Sequence, residues 1–126
     1  METVALQKLK YRRQYLITPK VIDCPFIYNQ FELTTNYFLY AHIDLPVTQY
    51  TDNRVKLVLI GDIFDYEFPD YSNYDILKDL IDISFANILT KSSKYTGRYV
   101  IVYQFQGVTR IFHDATAARK IYYGSF

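Results

Sequence analysis

The chain has 126 residues, half of them hydrophobic, with 14 basic and 13 acidic side chains and a formal net charge of +1. Such a length and composition fit one compact soluble domain with a sizeable core, and the near-neutral balance gives no electrostatic reason to expect a nucleic-acid or membrane-surface partner. The single cysteine, Cys24, excludes an internal disulfide, no apolar run approaches the roughly 20 residues of a membrane span, and Met1-Glu2-Thr3 begins no secretion signal, so a cytoplasmic protein is expected.

Aromatic content is the unusual feature: 14 Tyr and 9 Phe without a Trp. Rings of this kind pack well across pleated surfaces, so the bias points first to β structure. Residues 1–13 read as an N-terminal arm or short helix, with Val4, Leu6 and Leu9 among polar neighbours. Lys8, Lys10, Arg12 and Arg13 there are read as a solvated strand entry, since nothing else adds to a basic patch. The remainder, 14–126, is expected to form one domain. A strand over Gln14 to Thr18 ends at Pro19, Cys24-Pro25 marks a bend, and Phe26 to Leu33 offers a further strand. Asn36 to Ile43 predicts a strand with two apolar faces. Pro46 then opens a polar crossing loop over Thr48 to Asn53, and Val55 to Phe64, apolar on both faces, is expected to be central in a sheet.

Asp65 to Tyr71 is a loop broken by Pro69. Ser72-Asn73 then caps a single helix in which Tyr74, Leu77, Leu80, Ile81, Phe85 and Ile88 recur at three- and four-residue spacing, while Asp75, Lys78, Asp79 and Asp82 form a solvated outer face. Lys91-Ser92-Ser93-Lys94 closes it. The stretch from Gly97 to Tyr123 predicts a three-stranded antiparallel meander: two β-branched and aromatic runs about a Gln106-Gly107 turn, then a short third run after Asp114. The order strands, helix, strands makes the chain α+β with a mostly antiparallel sheet.

From Leu57 to Tyr123 the chain resembles the glutaminase domain of asparagine-synthetase-like proteins, a class II glutamine amidotransferase domain of the N-terminal-nucleophile fold. Ile60-Gly61-Asp62-Ile63-Phe64-Asp65 stands where that family has Asn-Gly-Glu-Ile-Tyr-Asn, and Ser72-Asn73-Tyr74-Asp75 where it has the capped Ser-Asp-x-Glu helix start. Tyr95-Thr96-Gly97-Arg98-Tyr99-Val100-Ile101 is similar to its Leu-x-Gly-x-Phe-Ala strand, and His113-Asp114 through Arg119-Lys120-Ile121-Tyr122-Tyr123 to its Arg-Asp-x-x-Gly-x-(Arg/Lys)-Pro-Leu-Tyr-Tyr signature. Leu39-Tyr40-Ala41-His42-Ile43-Asp44-Leu45 occupies, more loosely, the place of Leu-Ala-His-x-Arg-Leu. The resemblance implies a sandwich of antiparallel sheets with outer helices, shortened in this chain, in which Gly97, Asp114, Arg119, Tyr122 and Tyr123 are scaffold residues.

It also implies that the chemistry is absent. The family attacks glutamine with a free N-terminal cysteine, whose thiolate is the nucleophile and whose α-amino group is the base; position 2 is Glu2. The oxyanion-hole Asn is replaced by Ile60, beside which only the Gly61 amide remains, and loss of one such donor costs about 10²-fold to 10³-fold in rate. Asp44 falls on the Arg that holds the substrate carboxylate, and Asn73 on the Asp that receives the substrate amine. Processing after Asp23 would expose Cys24 as an N-terminal nucleophile, a second reading in which the domain is active. The abrupt end at Gly124-Ser125-Phe126 suggests that an ATP-using synthetase domain, or another protein, is the partner. A rival from another class is a ligand-binding or protein-interaction module with an aromatic surface around Tyr37, Tyr40, Tyr66 and Tyr71. His42, Asp44, His113 and Asp114 are a weak candidate metal set; Asp114 is read instead as a local cap of the bend. No cofactor is implied.

Overall fold

The structure, a computed structural model, describes residues 14–24, 27–34, 36–52 and 54–114. The expected N-terminal arm, the third run of the meander, and Arg119, Tyr122 and Tyr123 lie outside these residues. The described chain is α+β, built from two antiparallel sheets and two helices, and it divides into two compact units, Met1–Pro46 and Val47–Phe126.

The first unit is a three-stranded sheet of β1 (Tyr15–Thr18), β2 (Tyr28–Glu32) and β3 (Phe38–His42), ordered β1-β3-β2. The middle position of β3 explains its two apolar faces: Leu39, Tyr40, Ala41 and His42 are fully buried. Tyr40 meets Tyr28 edge to face at 5.1 Å, and its hydroxyl accepts from the Ile22 amide at 3.1 Å, which pins the extended segment before Cys24. Tyr40 therefore belongs to the core and not to the aromatic surface in which the sequence reading put it. Its neighbour Tyr37 is exposed.

The second unit carries β4 (Val47–Asp52), β5 (Val55–Phe64), α1 (Asn73–Leu80), α2 (Phe85–Ser92), β6 (Thr96–Phe105) and β7 (Val108–His113), with sheet order β4-β5-β6-β7 and every pairing antiparallel. Alternation along β5 and β6 sends Leu57, Leu59, Ile63, Tyr99, Ile101 and Tyr103 into one cluster, where Ile76, Leu77 and Leu80 of α1 and Ile88 of α2 meet them. Val58, Ile60, Val100 and Val102, on the other face of the same strands, are buried too. β5 is thus central, as its run of apolar residues predicts. Phe105 pairs with Val108 across a two-residue turn in which Gln106 and Gly107 both have positive φ, 50° and 76°, the backbone twist that suits a tight hairpin.

Two expectations fail. The polar segment from Thr48 to Asn53 is not a crossing loop, because Val47–Asp52 pairs residue for residue with Val55–Ile60 as β4. An outer strand of a sheet leaves alternate side chains in water, so Thr48, Gln49 and Thr51 serve it as well as apolar residues would, and hydropathy alone hides it. The single helix is two helices. Ile81 leaves the helical region with ψ 136°, and Asp82 Oδ1 accepts from the Ser84 amide at 2.8 Å while the Ser84 hydroxyl caps α2 by accepting from the Asn87 amide at 3.3 Å. Asp82 is consequently the pivot of the turn rather than a member of an outer acidic row. The Ser84 amide, with help from Lys91 at 3.3 Å, holds its carboxyl below the usual range. Apolar spacing misses the break because Ile81, Phe85 and Ile88 continue the same stripe.

Gly97 sits at a close approach of β6 to β5. Its φ is +131°, and a Cβ there would strike the carbonyl oxygen of Asp62, a backbone atom that cannot swing away. Gly97→Ala is expected to lower stability by about 3 kcal/mol, from backbone strain plus the clash, measured as a reduced urea midpoint. Alanine at the exposed Gly107, where nothing lies within 4 Å, meets only the strain of its φ of 76° and should cost about 1 kcal/mol.

Candidate functional site

The end of the β5–β6 ladder brings several singled-out residues together. Gly61 pairs with Tyr99, Asp62 with Arg98 and Ile63 with Gly97, and Asn73, the first residue of α1, reaches back onto this corner. Its side-chain oxygen accepts from the Ile63 amide at 3.2 Å, and its Nδ2 donates to the Gly61 carbonyl at 3.4 Å and to Asp62 Oδ1 at 3.3 Å. The helix start is fixed independently: Ser72 Oγ accepts from the Asp75 amide and Asp75 Oδ2 accepts from the Ser72 amide, a closed capping box. Those bonds also hold the Asp75 carboxyl below its ordinary value. Ser72 is therefore the cap, which frees Asn73 to bracket the strand. Gly61, Asp62 and Asn73 converge here and engage one another. Ile60 beside them is fully buried, Asp44 is exposed in the turn after β3 in the first unit, and its amide donates to His42 Nδ1 at 3.0 Å.

Asp114 reaches across the sheet, and the bend that follows it lies outside the described residues. Its Oδ2 accepts from the Tyr99 amide at 3.2 Å and its amide donates to the Tyr99 carbonyl at 3.0 Å, so the antiparallel pairing runs one residue past β7. The carboxylate is 2% exposed. Burial above all, then the Asp114 charge and Tyr95, push the Tyr99 phenol up to about 12. His113 Nδ1 lies 2.7 Å from the Asp114 carbonyl oxygen, which only accepts, so Nδ1 carries the hydrogen and Nε2 presents a lone pair when the ring is neutral.

The loop from Asp65 to Tyr71, expected from the sequence, is ordered by its own hydrogen bonds. Asp65, 3% exposed, turns it by accepting from the Glu67 amide at 3.0 Å, and the Phe68 amide bonds back to the Asp65 carbonyl. The turn holds out Phe64, Tyr66, Phe68 and Tyr71, with Phe68 stacked on Tyr71 at 5.0 Å, and Tyr74 follows on α1. Tyr66 and Tyr71 thus satisfy the surface expectation that Tyr40 does not. The aromatic–acidic alternation from Phe64 to Tyr71, bounded by Pro69, is the sequence signal that points to an ordered and exposed loop.

A cavity of about 360 Å³ opens between the C-terminal end of α2 and β7, lined by Leu89, Ser92, Ser93, Tyr99, Phe112 and His113 among others. Ser92 and Ser93, which close α2, thus also line a cavity that no motif in the sequence marks.

Cys24 is buried, and desolvation with the Asp23 charge pushes its thiol up, the opposite of an activated nucleophile. Among the described residues no three His, Cys, Asp or Glu side chains gather as a metal site, and no helix is long and apolar enough to cross a membrane. The chain matches no family model, no curated protein and no solved structure.

Two substitutions read these contacts. Asn73→Asp keeps an acceptor for Ile63 but sets a second carboxylate beside Asp62, raising the pKa of the pair in the fold. Stability should fall by about 2 kcal/mol at neutral pH and return as the solution is acidified, whereas Asn73→Ala should lose a similar amount at both pH values. The raised Tyr99 phenol gives the opposite end of the scale. Stability is full below the ordinary tyrosine range and declines as pH rises from about 10 towards 12, where the unfolded chain ionises first. Urea midpoints across that window should fall more steeply in the parent chain than in Tyr99→Phe, where the buried Tyr95 phenol, also raised, leaves a smaller decline.

Proposed function

We propose that the chain is a non-hydrolysing, glutaminase-like domain of the N-terminal-nucleophile class, cytoplasmic, and retained for contact with another domain or protein. One observation carries the reading: the Asn73 side chain is engaged by Gly61, Asp62 and Ile63, so the corner that would receive a substrate amine is closed by the protein's own hydrogen bonds. The buried Ile60 offers no side-chain donor beside it. The two antiparallel sheets and the helices are compatible with this ancestry.

A specific observation favours contact as the retained role. Phe64, Tyr66, Phe68, Tyr71 and Tyr74 put five exposed rings within eleven residues, a density that isolated surface hydrophobics do not reach. Rings of this type are enriched at the centres of protein interfaces.

A glutaminase assay tests the proposal. Purified chain incubated with glutamine is expected to release no glutamate above the buffer control, and Cys24→Ala is expected to behave identically. Glutamate release that disappears in Cys24→Ala would overturn it and establish the processed-nucleophile reading.

A further inference from the structure

We infer that the cavity at the C-terminal end of α2 binds a small organic ammonium ion, a primary amine bearing one apolar group. The inference stands on residues other than the Gly61–Asp62–Asn73 corner and does not depend on the proposed ancestry.

The polar groups in the wall are mostly acceptors. Ser92 Oγ donates its hydrogen to the Leu89 carbonyl and Ser93 Oγ to the Thr90 carbonyl, both at 2.8 Å, so each hydroxyl turns lone pairs outward. His113 is held by Nδ1 on the Asp114 carbonyl, which leaves Nε2 as an acceptor. Tyr99, 1% exposed, uses its backbone amide and carbonyl on Asp114, and neither of these bonds involves its hydroxyl. A wall of this kind is best satisfied by a ligand with several N–H donors on one atom.

Electrostatics choose between a neutral and a charged donor. The C-terminal end of α2, where the helix dipole is negative, lies at this cavity. The lysines at this end are turned to other partners: Lys91 pairs with Asp82 at 3.3 Å, and Lys94 sits over the Tyr95 ring at 5.1 Å. Leu89 and Phe112 supply the apolar wall, and aromatic faces favour a cation further. A volume of about 360 Å³ is at the small end of ligand sites, which suits an arylmethyl or short alkyl amine rather than a peptide.

The probe is benzylamine, titrated into the full chain at neutral pH and followed by amide chemical shifts, with benzyl alcohol and benzoate as neutral and anionic comparators. Saturable shifts centred on Ser92, Ser93, Tyr99 and His113 are expected for the amine, with binding at least about tenfold weaker for the other two, the factor expected when a charged hydrogen-bond donor is lost. His113→Phe, which keeps ring volume, and Tyr99→Phe should each weaken the amine several-fold while the melting temperature near neutral pH verifies folding. Equal binding of all three probes, shifts centred elsewhere, no saturable shift at tens of millimolar, or unchanged affinity in His113→Phe would each overturn the inference.

Discussion

The second unit depends on the contact between Gly97 and the backbone of Asp62. A glycine is required there because any side chain would strike the Asp62 carbonyl, and the closeness it permits locks β6 onto β5 from Phe64↔Thr96 to Lys56↔Gln104. With that register set, alternation decides the rest. Leu57, Leu59, Tyr99, Ile101 and Tyr103 face the helices, and the opposite residues of both strands are buried as well. A slip of one residue would exchange these two sets and carry Tyr103, whose hydroxyl reaches the Ile83 carbonyl, away from the turn between the helices.

Around this pair, polar side chains do the joining that backbone ladders cannot. Asn73 ties the start of α1 to the end of β5, Asp114 ties the chain after β7 to Tyr99, and Asp82 joins α1 to α2 while holding Lys91. Each is a half-buried or buried group satisfied by backbone amides, the arrangement in which removing one partner costs most. Asn73, which the glutaminase resemblance sets at a pocket position, is in this structure a fastener.

Much of this was legible in the residues. The apolar run from Val55 to Phe64 announced a central strand, Gln106-Gly107 a tight hairpin, and Ser72 a helix start, because each depends on local stereochemistry or on burial from both sides. What stayed hidden was set by tertiary contacts. Thr48, Gln49 and Thr51 read as a loop because an outer strand has no need of apolar residues on its wet side. The turn at Asp82 hid inside a continuous apolar stripe, since hydropathy records which face is buried and not whether the backbone stays helical. The bond from Asp114 to Tyr99 is hidden in the sequence because the two are fifteen residues apart along the chain and directly opposite in the sheet. The cavity was invisible for the same reason: Ser92, Ser93, Tyr99 and His113 share no motif and meet only through the fold.

The central claim is that the corner of Gly61, Asp62, Asn73, Gly97 and Asp114 is a structural lock. Amide hydrogen exchange at Ile63 and Tyr99 tests it most directly, because these two amides donate to the Asn73 and Asp114 side chains. The account predicts that both exchange only with global unfolding, as slowly as the interior amides of β5 and β6. Exchange at either amide as fast as in the exposed loop from Tyr66 to Asp70 would contradict it, and would mean that the corner opens freely in the folded protein.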